Sequence, residues 1–249
     1  MAREQDLQEI KARIENANTL GRSNLLKKGV KAPEGTSTHG IMEKIADISI
    51  GVNYLQYAKT FNGIFSGATF SENTILHIKN DIAHTGAKEF SNAFSYASNL
   101  KKVVIEGSTN SVALILSSML LSCTSIEVFD VSKCSAFVVS KSANAFRGCT
   151  NLTHILGEFD FTPAILISDM FRDCTNLIEF RVKEETLNLS IDLGQSPNLS
   201  TETRQSLVAG LKTLTYQQTL TLHKNVFDAL TEEEKTIIEN KNWLVVSAE

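Results

Sequence analysis

The stretch FRGCTNLTHILG (Phe146–Gly157) is one of four near-copies in this chain, with FSYASNLKKVVI (Phe94–Ile105), LLSCTSIEVFDV (Leu120–Val131) and FRDCTNLIEFRV (Phe171–Val182). Taken in chain order, their first residues lie 26, 26 and 25 positions apart. A fixed period of this length marks a stacked repeat architecture, because a single unit cannot bury its apolar residues and needs its neighbours to close over them. Such stacks present an extended surface, which favours binding over an enclosed active-site cleft.

Within a unit the phrase F-x-x-C/A-x-x-L sets apolar residues at i, i+3 and i+6, the spacing of one side of a helical turn. The pairs Val103/Ile105, Phe129/Val131 and Phe180/Val182 then alternate as a half-buried strand does. Thr150-Asn151 and Thr175-Asn176 read as turn formers between the two. A second apolar run follows in VALIL (Val112–Leu116), FVVS (Phe137–Ser140) and AILIS (Ala164–Ser168). Each coil is therefore expected to hold a strand, a turn, a second extended run and a short helix. Cys123, Cys149 and Cys174 occupy one repeat position that Ala97 fills in the preceding copy, so they read as small buried residues. Disulfide or metal use is the alternative. The four cysteines lie 11, 15 and 25 residues apart, a spacing that fits no common zinc motif.

The flanks differ from the repeats. In residues 1–20, Leu7, Ile10, Ile14 and Ala17 recur at helical spacing up to Gly21, and Ile41, Ile45 and Ile48 suggest a second short helix after a turn-rich connector at 29–40. Residues 1–55 are assigned as a helical attachment or oligomerisation segment, 56–195 as the repeats with a degenerate first copy at 56–80, and 196–249 as a capping region. In that last region LNLSIDL (Leu187–Leu193, just ahead of it), TLTLH (Thr219–His223) and WLVVSA (Trp243–Ala248) read as strands. Ser200 or Thr201 can cap a helix from about Glu202 to Leu214, and Thr231 with Glu234 has capping-box form.

The phrases NAFSYASNLKKVVI, NAFRGCTNLTHI and DMFRDCTNLIEFRV resemble the BspA-like leucine-rich repeat over about residues 88–182. The second copy departs from it with Leu120 in place of Phe, and the usual proline after the strand is missing. The resemblance implies an α/β repeat fold, a right-handed leucine-rich-repeat solenoid, here with an N-terminal helical segment and a C-terminal α/β cap. The segment Ala17–Ile48 also resembles N-terminal segments of tail or baseplate proteins from phages and prophages of gut Firmicutes, and Leu230–Val246 is similar to the ends of repeat proteins in such clusters. The family implies adhesion at a virion or cell surface and brings no catalytic residues.

Bulk chemistry narrows the function classes. The hydrophobic fraction of 42% and charged fraction of 21% are those of an ordinary globular chain of 249 residues. The net charge of −4 argues against a nucleic-acid partner. Residues 1–55 carry 8 basic and 7 acidic side chains, 56–182 carry 10 and 11, and 183–249 carry 6 and 10, so the acidity is C-terminal. The charged N-terminus does not read as a secretory signal, and the longest apolar stretch, Val112–Cys123, is too short to span a bilayer, so no membrane insertion is expected. His39, His77, His84, His154 and His223 fit no metal spacing, no nucleophile elbow or phosphate loop occurs, and no cofactor is expected.

What remains is the outward set of strand positions. With Val103 and Ile105 inward, Lys102, Val104 and Glu106 face out. The repeat carries these to Val128, Asp130 and Ser132, to His154, Leu156 and Glu158, and to Glu179, Arg181 and Lys183. This mixed panel is the candidate binding face, with an ordinary solvated sheet face as the bland alternative. The expected function is a non-enzymatic phage tail or baseplate component that binds a protein or cell-surface ligand and self-associates through its N-terminal helix. The alternative is a bacterial surface adhesin for host protein or glycan. A glycan hydrolase would need two carboxylates across one cleft, and Glu106, Asp130 and Glu158 are its only nominees.

Overall fold

A computed structural model describes residues 61–79, 88–107 and 113–248. The helices read over 1–20 and 41–48 lie outside the described residues. Ten strands and three helices follow in order: β1 (Thr69–Lys79), β2 (Ser98–Gly107), β3 (Leu114–Ile115), β4 (Val128–Cys134), β5 (Phe137–Lys141), β6 (His154–Asp160), β7 (Glu179–Val182), β8 (Ile191–Leu193), α1 (Thr201–Gly210), β9 (Gln218–His223), α2 (Lys224–Asp228), α3 (Glu232–Asn240) and β10 (Trp243–Ala248).

Seven strands form one sheet in the order β1-β2-β4-β6-β5-β3, with β7 also on β6, and every pairing is parallel. The long strand β6 bends this sheet. Its first half pairs with β4, Val128 opposite His154, while its second half pairs with β5, Phe137 opposite Phe159. The sheet therefore curls into a half-barrel around the core. Inward positions align from coil to coil, with Leu76, Val103, Phe129 and Ile155 in successive register and all buried. Phe129 packs against Phe137, Phe146 and Phe159 with ring centroids 6.0, 5.2 and 6.3 Å away.

The residues between the strands do not form the expected helices. In an α-helix each N–H bonds the carbonyl four residues back. Here the N–H groups of Phe90, Asn92, Phe94 and Tyr96 donate instead to Ile115, Ser117, Met119 and Leu121 of the next coil, at 2.7 to 2.9 Å. The intervening Ala93, Ser95 and Ala97 fold back three residues, to Phe90, Asn92 and Phe94. This alternation requires a left-handed residue every fourth position. The first column holds Gly63, Asn92, Ser118, Asn144 and Asp169, and the second Gly67, Tyr96, Ser122, Gly148 and Asp173, all with φ between 52° and 75°. Glycine, asparagine and aspartate are the residues that tolerate this region best.

These findings correct the expected α/β leucine-rich-repeat solenoid. The chain is a mostly parallel β structure with a curled half-barrel sheet, poor in helix: its described helices have only 10, 5 and 9 residues, all after Ser200. The apolar spacing i, i+3, i+6 misled because Phe94, Ala97 and Leu100 are all buried in the core, but from a tight turn, its end and the start of β2.

The C-terminal region has a second parallel sheet, β10-β9-β8. Ser200 caps α1 through the Thr203 N–H, and the helix ends at Gly210, short of the expected Leu214. Thr231 and Glu234 form a complete capping box on α3. Helix α1 lies along the free edge of β7: the Ser200 N–H donates to the Ile178 carbonyl, the Thr203 hydroxyl accepts from Phe180 N and donates to Ile178 O, and the Ser206 hydroxyl does the same for Val182. An edge that would otherwise recruit another chain is thereby occupied. Gly210 is required at this seam, since a Cβ there would lie 2.5 Å from Val182 Cγ1.

Candidate binding face

The outward rows follow from strand register. Ile75, Lys102, Val128, His154 and Glu179 stand level across β1, β2, β4, β6 and β7. His77, Val104, Asp130 and Leu156 form the next row. Beyond it, bulges break the repeat arithmetic. Glu106 faces Lys133 rather than Ser132, and Arg181 faces Glu158 rather than Leu156. Gly157 lies in β6 where the second shift occurs: it has φ +101° and lets β6 come close to β4, since a Cβ there would lie 2.8 Å from Ser132 N and from Val131.

Exposure divides the panel. Glu158, Arg181 and Lys183 are exposed, Lys102, Glu106, Val128, His154, Leu156 and Glu179 half-buried, and Val104 and Asp130 buried. Val104 sits outside the main core cluster, so its burial comes from neighbours on the outer face.

Most of the charges on this face are paired with one another. Lys102 Nζ meets Asp130 Oδ2 at 2.8 Å, Lys133 meets Glu106 at 3.4 Å, and Arg181 Nε meets Glu179 at 3.1 Å. Lys101 pairs with Glu127, and Lys183 Nζ lies 2.8 Å from Asp160 Oδ2. The His154 ring shares a hydrogen bond with the Thr153 hydroxyl at 2.8 Å. Burial pulls the Asp130 carboxyl upward, but hydrogen bonds from Lys102 and Ser132 outweigh it and hold the group below the usual carboxylate range. Asp160 behaves alike, with burial opposed by Lys183 and Thr162, and the same hydrogen bond raises Lys183.

Asp160 and Lys133 belong to this network and were not legible from repeat offsets. A signal was present in the phrases Asp130-Val-Ser132, Asp160-Phe-Thr162 and Asp192-Leu-Gly194. In each, the carboxylate accepts the N–H two residues on, at 3.1, 2.9 and 2.8 Å. This is the Asx-turn, which closes β6 at Asp160 and β8 next to Asp192 and bends β4 within its length at Asp130.

The cysteines are all free. The thiols of Cys123, Cys149 and Cys174 donate to the carbonyls of Phe94, Leu120 and Phe146. Burial pushes Cys123 and Cys174 up to about 12 and Cys149 well above its ordinary value. Cys134, on the edge of the core, is likewise raised by burial to about 12. Thiols in this state are poor nucleophiles and poor metal ligands. Among the described residues no group of three or more His, Cys, Asp or Glu side chains is placed to hold a metal ion. An open cleft of about 340 Å³ lies between α1 and α3, lined by Gln205, Val208, Ala209, Thr231, Glu233, Glu234 and Ile237. Glu234 there is committed to the Thr231 cap and to Arg204, 3.1 Å away.

Among the described residues no helix is long and apolar enough to cross a membrane. Comparison with protein-family models, with curated proteins and with solved structures finds no match.

Proposed function

We propose that the chain is a non-enzymatic binding protein, a phage or prophage tail or baseplate component whose outward strand face recognises a protein or host surface. The observation that carries this reading is the face itself: level rows of mixed side chains on five parallel strands, from Ile75 to Glu179. The carboxylates nominated for hydrolysis support binding rather than chemistry. Asp130 is held ionised by Lys102 and Ser132, so it has no proton to donate near neutral pH. Glu106 is paired with Lys133, and Glu158 stands level with Arg181. Because the charges are satisfied internally, a ligand of one strong sign is disfavoured, and a protein or neutral glycan surface fits better. The resemblance of Ala17–Ile48 to tail and baseplate segments supports an assembly role for residues 1–55.

Two measurements test this. Light scattering of the full chain beside one starting near residue 50 is expected to show a defined oligomer that loses subunits on truncation. Identical monomers would favour the surface adhesin instead. Arg181→Glu and His154→Ala, both on the open rows, are expected to lower adsorption of the labelled chain to host cells by about tenfold, roughly 1.4 kcal/mol. Unchanged adsorption with a retained fold would move the binding site off this face.

A further inference from the structure

In the three-stranded sheet the outward side chains change character toward one edge. β8 presents Asp192 and β9 presents Thr219, Thr221 and His223, whereas β10 presents Leu244, Val246 and Ala248. Leu244 is 46% exposed. β10 is the terminal strand of this sheet, and among the described residues no strand pairs with its outer side. Edge strands are ordinarily blunted by charge, proline or a bulge. β10 has none of these: WLVVSA is uncharged, and its register with β9 runs unbroken from Trp243 opposite Gln218 to Ala248 opposite His223. An open edge of the larger sheet, β7, is by contrast closed by the hydroxyls of α1.

We propose that β10 pairs antiparallel with β10 of a second copy of this chain about a two-fold axis, joining the two small sheets into one. A row of free main-chain N–H and C=O groups is matched only by another strand. The strand's neutrality and its stripe of Leu244, Val246 and Ala248 suit its own copy, because antiparallel self-pairing sets no like charges opposite one another and sets apolar side chains beside apolar side chains. With the axis at Val246, Val246 faces Val246 and Leu244 faces Ala248, so the apolar stripe continues across the seam. A two-fold contact also closes on itself, whereas stacking β10 onto β1 of another copy would grow an open filament. The contact is separate from any self-association through residues 1–55.

The test is the mass of the full-length chain by sedimentation velocity over a concentration series. Val246→Lys and Leu244→Glu are each expected to reduce the wild-type mass to half while circular dichroism and melting behaviour are retained. Leu244 is exposed enough to accept the charge if Val246→Lys fails to fold. A mass unchanged by a folded variant, including a wild type already monomeric, overturns the proposal. So does a wild-type mass that rises without limit with concentration, which would indicate end-to-end stacking.

Discussion

The central coils turn their corners through left-handed residues, whereas the region after Lys183 turns them through helices. The difference lies in where the backbone N–H groups go. Between Phe61 and Gly148 every second turn residue donates to the next coil, so neighbours are joined by main chain as well as by apolar contact. In the helices those donors are spent internally, and although the β8-β9-β10 ladder and the Glu185, Thr186 and Leu187 N–H groups still make main-chain junctions, side chains carry more of the joining there. Thr203 and Ser206 hold β7. Lys241 Nζ donates to the carbonyls of Val208, Ala209 and Leu211 at 3.3, 3.1 and 2.7 Å and pairs with Glu185 at 2.8 Å. Trp243 Nε1 donates to Lys212 O. A main-chain junction survives most substitutions, while a side-chain junction can be removed one residue at a time.

The largest test of this contrast is Phe129→Ala, which empties a site shared by three other rings. It is expected to cost about 3–5 kcal/mol, visible as a lower urea midpoint by circular dichroism. Trp243 is the single tryptophan, so its fluorescence reports on the C-terminal region separately. In the wild type both signals are expected to move together.

Thr203→Val should part them. It strands the Phe180 N–H at a buried seam and removes one of the two donors to the Ile178 carbonyl, a cost of about 1–3 kcal/mol, and the Trp243 transition should come at lower urea than the circular dichroism transition. Coincident transitions in this variant would mean that apolar packing, not the hydroxyl bridge, couples the regions. Lys241→Met acts on the same region by removing a charged donor from the Val208, Ala209 and Leu211 carbonyls at the end of α1, of which Ala209 keeps the Glu185 N–H. About 1–2 kcal/mol is expected from the lost charge-assisted bonds, read from the same fluorescence midpoint.

The pH response is smaller. A hydrogen bond from Lys241 lowers Glu185, and hydrogen bonds from lysines outweigh burial to lower Asp130 and Asp160. A depressed folded-state pKa contributes stability that is complete above the ordinary carboxylate value of about 4 and is lost as pH falls through the lowered values. Urea midpoints should therefore drop below about pH 4, and drop less steeply in Asp130→Asn. An equal slope would show that other carboxylates dominate. The smallest effect expected is a gain: Tyr96 is 61% exposed at φ 59°, and Tyr96→Asn should stabilise by about 0.5–1 kcal/mol by easing the left-handed conformation. A loss instead would show that the ring packs usefully on the coil surface.

The sequence was legible wherever one residue's environment repeats. Phe94, Ala97, Leu100, Val103 and Ile105 could be placed inside from their recurrence alone, and all five are buried. Thr231 and Glu234 announced their helix because a capping box is local chemistry. The left-handed columns at Asn92/Tyr96, Ser118/Ser122 and Asn144/Gly148 were also present, as turn-tolerant residues four apart, yet the apolar spacing around them fits a helix equally well. Repeat arithmetic placed Lys102, Val128, His154 and Glu179 in one row. It failed at Glu106 and at Arg181, because a bulge depends on how closely two coils approach.

What the chain determined by itself is therefore the period, the inward residues and the local caps, since each depends on side-chain polarity or a hydrogen bond a few residues long. Turn against helix, the curl of the sheet at β6, the pairing of Lys102 with Asp130 and Lys183 with Asp160, and the closing of β7 by α1 were decided only by tertiary structure. Each depends on the partner that a backbone or charged group finds about 23 to 29 residues away, and such partners exist only once neighbouring coils have stacked.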